Sequence, residues 1–281
     1  MIMVENLSFS YSRKPFIEAM NFSVHTGEIF GFLGPSGAGK STIQKILTGL
    51  IPSYTGSVVV NQTEAKKRNS AFYEHIGVDF EVPSLFEKLT ALQNLRYFAS
   101  LYTHSLPLEP LLESVGLQDE ADKKVMDYSK GMKSRLNFIK ALLHAPSILF
   151  LDEPTSGLDP SNARVMKDLI LQQREQGATI VLTTHNMYDA TELCDRVAFI
   201  VDGSIRALDT PRNLIMSRGA ATVTYSYREN GGEHQGTATV SQTASDERLL
   251  RILQENRLLS IHSSEPTLND IFSELTGRKL Q

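Results

Sequence analysis

EIFGFLGPSGAGKST, Glu28 to Thr42, is the stretch from which the fold can be read. Its first part is a short apolar run of the kind that forms a strand buried on both faces. The run feeds a loop with glycine at 34, 37 and 39, followed by Lys40 and Ser41. That is G-x-x-x-x-G-K-[ST] in the strand–loop–helix setting that gives the pattern its meaning. The chemistry needs each residue type. Backbone N–H groups can close round phosphate oxygens only where side chains leave room, hence the glycines. Lys40 supplies a point charge for the outer phosphates and Ser41 an oxygen for Mg²⁺, while the following helix directs its positive end at the anion. Gly34, Pro35, Ser36, Gly37, Ala38, Gly39, Lys40, Ser41 and Thr42 are therefore the expected ATP-binding loop. The loop by itself does not choose between a kinase, a GTPase and a motor.

Working outward, SILFLDEP (147–154) is a second apolar run, and it ends in two acids. A strand buried on both faces delivers its C-terminal end to the ligand crevice. Asp152 is thus placed to hold Mg²⁺, and Glu153, one residue on, to polarise an attacking water. TIVLTT (179–184) reads as a third strand, and RVAFIV with DGSIRAL as a hairpin through Asp202-Gly203. SNARVMKDLILQQREQ, before the third strand, reads as a helix with Val165, Leu169 and Leu171 among its apolar positions. Short buried strands alternating with amphipathic helices predict an α/β protein with a mostly parallel sheet. Residues 84–145, rich in Leu, Glu and Lys, read as a helical insertion. From about Gly219 the texture changes to alternating strands, TVTYSYRENGGEHQGTATV turning at Asn230-Gly231-Gly232, and two amphipathic helices.

The chain has 281 residues, with 28 Lys plus Arg against 32 Asp plus Glu for a net charge of −4. This is not the basic footprint of a nucleic-acid binder, and EAKKRNS (64–70) reads as a solvated connection. The single Cys194 rules out an intrachain disulfide framework and suits a reducing compartment. No apolar run approaches the ~20 residues of a bilayer span, and MIMVENLSFSY lacks a secretory signal. A soluble, cytosolic chain is expected, with any membrane supplied by another. His25, His75, His104, His144, His234 and His262 show no metal-ligand spacing.

Five further stretches stand in order along the chain: SFSYSRKP (8–15), IGVDFEVPSLFEKLTALQNL (76–95), DYSKGMKSRL (127–136), TSGLD (155–159) and TTHNM (183–187). With the glycine loop and SILFLDEP, they make Met1 to Gly219 resemble the ATP-binding subunit of an ATP-binding cassette (ABC) transporter. The resemblance implies an ABC cassette with an antiparallel β edge and a helical subdomain at 84–145. Residues 1–218 would form the nucleotide-binding domain and 219–281 a small α+β accessory module. It implies that Tyr11 stacks on adenine and that His185 is the switch histidine beside the catalytic Glu153. Ser129, Lys130, Gly131 and Met132 correspond to the signature motif, which acts on ATP held by a second cassette. Asp159 closes the loop that crosses between cassettes.

Three positions depart from the common pattern: Lys130, Met132 and Glu81. Lys130 stands where glycine is usual, in an SKGM form that resembles single-cassette efflux ATPases. Glu81 stands where glutamine is usual. It can still face Mg²⁺ through oxygen, but when ionised it only accepts hydrogen bonds, and it adds negative charge near the γ-phosphate. The resemblance implies a peripheral subunit on the cytoplasmic face of the membrane, joined to a transmembrane permease subunit and a second ABC cassette, identical (a homodimer) or not, with ATP and Mg²⁺ as cofactors and no nucleic acid. PTLNDIFSELTGRKL resembles accessory tails of drug, bacteriocin and antibiotic-resistance exporters, so export of a drug, peptide or lipid-like substrate is expected. Two other readings stay open. A non-transport cassette ATPase of translation or nucleic acids would carry a second cassette or a long coiled coil between Lys40 and Asp152. An ATP-sensing module without turnover is favoured by Glu81 alone.

Overall fold

The computed structural model describes residues 1–12, 14–218, 222–229 and 231–277. They divide into two compact units, Met1–Leu208 and Asp209–Gln281. The expected boundary after residue 218 adjoins residues 219–221, which lie outside the described residues, as do Asn230 of the expected turn and the last four residues of the tail. The division comes earlier, ahead of the helix Pro211–Arg218.

In chain order the strands of the first unit are β1 (Ile2–Phe9), β2 (Ile17–Val24), β3 (Ile29–Leu33), β4 (Thr55–Val60), β5 (Thr63–Glu64), β6 (Ile76–Asp79), β7 (Ile148–Asp152), β8 (Thr179–Thr184), β9 (Arg196–Val201) and β10 (Ser204–Asp209). β2-β1-β4-β5 make an antiparallel sheet. β10-β9-β3-β8-β7-β6 make a second sheet, whose β9-β3-β8-β7-β6 core is parallel. Every residue of β3, β7 and β8 is buried, as expected of strands covered on both faces. β9 and β10 join through Asp202 and Gly203, both at positive φ, the backbone of a two-residue type I′ turn. One apolar core, including Phe22, Phe30, Phe32, Ile43, Val58 and Phe150, binds the two sheets together.

This unit has seven described α-helices, five of which start at a capping side chain. These are α1 (Lys40–Leu47), α2 (Ser70–Tyr73), α3 (Ala91–Ala99), α4 (Leu108–Ser114), α5 (Lys130–Leu142), α6 (Pro160–Glu175) and α7 (Met187–Leu193). Thr90 and Gln93 form a capping box on α3. Ser129, Asp159 and Asn186 cap α5, α6 and α7 with side-chain oxygens, and Pro160 occupies the first turn of α6, where no N–H is required. α3, α4 and α5 fall within the region read as a helical insertion. The buried stripe of α6 is Met166, Leu169 and Ile170. Val165 is exposed and Leu171 half-buried, so the stripe lies one step round the helix from the expected Val165, Leu169 and Leu171.

The second unit holds α8 (Pro211–Arg218), a three-stranded antiparallel sheet and two more helices. β11 (Thr222–Glu229) lies between β12 (Gly232–Thr239) and β13 (Leu258–Ser264). α9 (Glu247–Gln254) places Leu249 and Ile252 against Val223, Tyr225 and Tyr227. α10 (Leu268–Thr276) begins at a Thr267–Asp270 capping box.

Candidate active site

β3, β8, β7 and β6 are successive neighbours in the parallel sheet, so their C-terminal ends open on one side. The glycine loop follows β3, His185 follows β8, Asp152 and Glu153 end β7, and Glu81 follows β6. Side chains separated by more than a hundred positions thereby meet at one rim, as expected of a crevice beyond the carboxyl ends of the strands. A cavity of about 250 Å³ there is lined by Ser36, Gly37, Gly39, Lys40, Ser41, Thr42, Glu81, Glu153, His185 and Phe16.

The loop itself is held from below. Gly34 has φ +156°, and a Cβ there would meet the Ile200 carbonyl, so only glycine lets the loop leave β3 this close to β9. The Gly203 amide donates to the Ala38 carbonyl at 3.0 Å, which seats the loop on the β9–β10 turn. The Lys40 ammonium is buried and turns back on the Gly34 and Pro35 carbonyls at 2.6 and 3.2 Å. Burial pulls its pKa below the ordinary lysine value, against the opposing pull of Glu153, Asp152 and Glu81.

Ser41 Oγ donates to Asp152 Oδ1 at 3.2 Å, and Thr183 Oγ1 donates to the same oxygen. Ser41, Asp152 and Glu81 offer oxygen donors only, which suits a hard divalent cation. Among the described residues no cluster of three or more His, Cys, Asp or Glu could hold a metal. The oxygen-only donors Ser41, Asp152 and Glu81 fit Mg²⁺, which keeps several waters and takes phosphate oxygens beside one or two carboxylates. Glu153 has φ +53°, sparsely populated for a residue with a Cβ, and its amide is tied to the Thr183 carbonyl at 3.0 Å. Its carboxylate lies 2.9 Å from His185 Nδ1, and the imidazole is about half exposed.

Tyr11 is 65 % exposed beside the loop, with its hydroxyl 2.9 Å from Thr42 Oγ1 and its ring edge-on to Phe9 at 4.7 Å. Phe16 stands 5.6 Å from Tyr11 and within ordinary contact distance of Gly39. It is a lining residue that the sequence reading missed.

Ser129, Gly131, Met132 and Asp159 do not line this cavity. Ser129 Oγ accepts the Met132 amide at 3.2 Å as the cap of α5, and Asp159 accepts the Ser161 and Asn162 amides at 3.1 Å as the cap of α6. Those bonds, with the Asn162 side chain, hold the Asp159 carboxyl below its usual pKa. Lys130 instead faces a second cavity, of about 260 Å³, with Asp79, Glu81, Asn137, Asp152 and Glu153. Two of the three departures from the common pattern, Glu81 and Lys130, thus face one space.

Residues 17–156 match the family model described as ABC transporter. A fluoroquinolones export ATP-binding protein of Mycobacterium tuberculosis (strain CDC 1551 / Oshkosh) is 48% identical over 284 residues, covering 99% of this chain and 94% of the relative. A linearmycin resistance ATP-binding protein of Bacillus subtilis (strain 168) is 32% identical over the whole length of both. A solved structure of an ATP-binding subunit of an ABC transporter superposes with TM-score 0.72 at 29% identity, over 77% of this chain and 92% of that one.

Proposed function

The chain belongs to the ABC transporter family as an ATP-binding and ATP-hydrolysing subunit, and from that premise we propose how its residues divide the work. The observation that carries the proposal is the convergence of Lys40, Asp152, Glu153 and His185 on one rim. ATP lies with its phosphates in the loop 34–42 and its adenine against Tyr11. Lys40 swings from the Gly34 carbonyl to the outer phosphates. Ser41, Asp152 and Glu81 would hold Mg²⁺, which would neutralise phosphate charge. Glu153 accepts the proton of the attacking water, and His185, bonded to Glu153, keeps that carboxylate aimed.

Ser129 to Met132 serve a nucleotide bound by a second copy of the chain. Ser129 and the Gly131 amide sit at the positive end of α5, a ready anion site that the cavity of the same chain does not use. ATP then bridges two cassettes, and Asp159 lies at their junction. The helical region 84–145 transmits opening and closing to a membrane subunit at the cytoplasmic face. No described helix is long and apolar enough to cross a membrane, in keeping with a permease on another chain. Relatives named for fluoroquinolone export and linearmycin resistance support an exported, drug-like cargo. The second unit, from Asp209 on, forms an accessory module of that transporter.

The test is Mg-ATP turnover and light scattering on wild type and Glu153→Gln. The variant is expected to lose at least ~100-fold in turnover. It should also form a stable dimer with ATP, which its blocked hydrolysis cannot release. Equal turnover, or a monomer at saturating Mg-ATP, contradicts the proposal.

A further inference from the structure

Beneath the loop that carries Glu81 runs a chain of polar side chains. Asp79, the last residue of β6, is buried and accepts a hydrogen bond from Asn137 Nδ2 on α5. Asn137 Nδ2 also approaches the Phe80 carbonyl at 3.4 Å. Asn137 Oδ1 accepts from the Lys140 ammonium at 2.6 Å. That ammonium donates to the Ser84 carbonyl at 3.3 Å and stands 5.0 Å from the centre of the Phe98 ring on α3. A single cation thus joins the 80–84 loop, α5 and α3, and through Asn137 it reaches β6. The Lys140 side chain is half-buried, so these contacts fix the position of the ammonium rather than compensate a fully buried charge. Here all the named partners belong to elements flanking Glu81.

We propose that Lys140 is a positioning residue that pins the Glu81 loop to α5, so that this loop and the turn from Ser129 to Met132 move as one body. The inference rests on the proposed role of Glu81 at the metal end of the site. Two further contacts give the chain a direction. On the inner side, Asp79 pairs in register with Leu151, the residue before Asp152. On the outer side, Phe98 stacks on Phe86 at 5.7 Å and meets Tyr97 edge-on at 5.4 Å, and both Phe86 and Tyr97 are exposed. A load on that aromatic surface reaches Lys140 through Phe98 and the Glu81 loop through Ser84.

The experiment measures Mg-ATP kcat and KM, together with thermal melting, for wild type, Lys140→Met, Lys140→Arg and the double variant Asp79→Asn/Lys140→Met. Lys140→Met should lower kcat roughly tenfold through a misplaced loop, with KM within about twofold because the phosphate loop is untouched. Lys140→Arg, which keeps donors at the Ser84 carbonyl, should recover most of the loss. The double variant leaves no charge in the chain and should melt no lower than wild type while retaining the kcat loss. Wild-type kcat in Lys140→Met overturns the inference. So does full repair by the double variant, which would make Lys140 a counter-ion to Asp79 and nothing more. Absence of turnover in the wild type would instead overturn the proposed function, and this inference with it.

Discussion

Replacing Asp79 by Asn in nucleotide-free, EDTA-treated protein should stabilise the first unit, and do so more as the pH rises. Burial, aided by the nearby Asp152 charge, pushes the Asp79 carboxyl up to about 7, against the pull of Lys140 and the Asn137 hydrogen bond. In the unfolded chain the same group ionises near the usual ~3.9. Between those values the folded state holds a proton that the unfolded state has released, so wild-type stability falls as the pH rises through this window. The gap is about three units, or ~4 kcal/mol at pH 8, of which ~1.5 kcal/mol is already lost at pH 5. Asn keeps a carbonyl to accept from Asn137 and has no charge to desolvate. The stability gained by Asp79→Asn should therefore grow by ~2.5 kcal/mol between pH 5 and pH 8. For a unit of this size that corresponds to roughly 5–10 °C in Tm. Urea melts at the two pH values are the assay. Because the readout is a difference, any constant packing change on substitution drops out. A gain that is the same at both pH values, or larger at pH 5, refutes the reasoning.

Removing the cation at the loop by Lys40→Met should weaken equilibrium ATP binding at least ~10-fold, the scale of a charge-assisted hydrogen bond, measured by titration calorimetry. Gly203→Ala places a Cβ against the Phe16 carbonyl at φ +71°. It should lower stability by more than ~2 kcal/mol in urea melts and weaken ATP binding, since Gly203 also seats Ala38. Tyr11→Ala should raise KM for ATP roughly tenfold at little change in kcat, the scale of one base–aromatic stack. Tyr11→Phe, which loses only the contact with Thr42, should stay close to wild type.

The parts of the site that sequence made legible are those whose chemistry fixes both residue type and spacing. Lys40 and Ser41 must follow glycines, two acids must end a buried strand, and a Ser or Asp such as Ser129 or Asp159 ahead of an apolar-periodic run marks a capped helix start. Contacts between distant segments carry no such signature. Asp79 and Asn137 lie 58 positions apart, and nothing local to either says that they meet. A carboxylate inside the apolar run IGVDF was the one visible hint, because such a residue must find a partner or give up its charge. Phe16 enters the site because β2 brings it over Gly39, a matter of packing rather than pattern. The strained backbone of Glu153 is likewise dictated by its tie to Thr183 on the neighbouring strand. The burial of α6 shows the limit of periodicity: Val165 and Met166 are both apolar, and only the neighbouring elements decide which of them turns inward.

The cap of α5 has a thermodynamic consequence for assembly. A serine hydroxyl can accept twice and donate once, and accepting the Met132 amide leaves the proton of Ser129 for another acceptor. The side chain is held in one orientation before any other molecule arrives. A group fixed in advance loses little rotamer freedom on association, whereas ordering a loose one costs ~0.5–1.5 kcal/mol. In a symmetric pair that saving occurs at both sites. In the proposed nucleotide-bridged pair, cleavage of the γ-phosphate would then weaken both sites together.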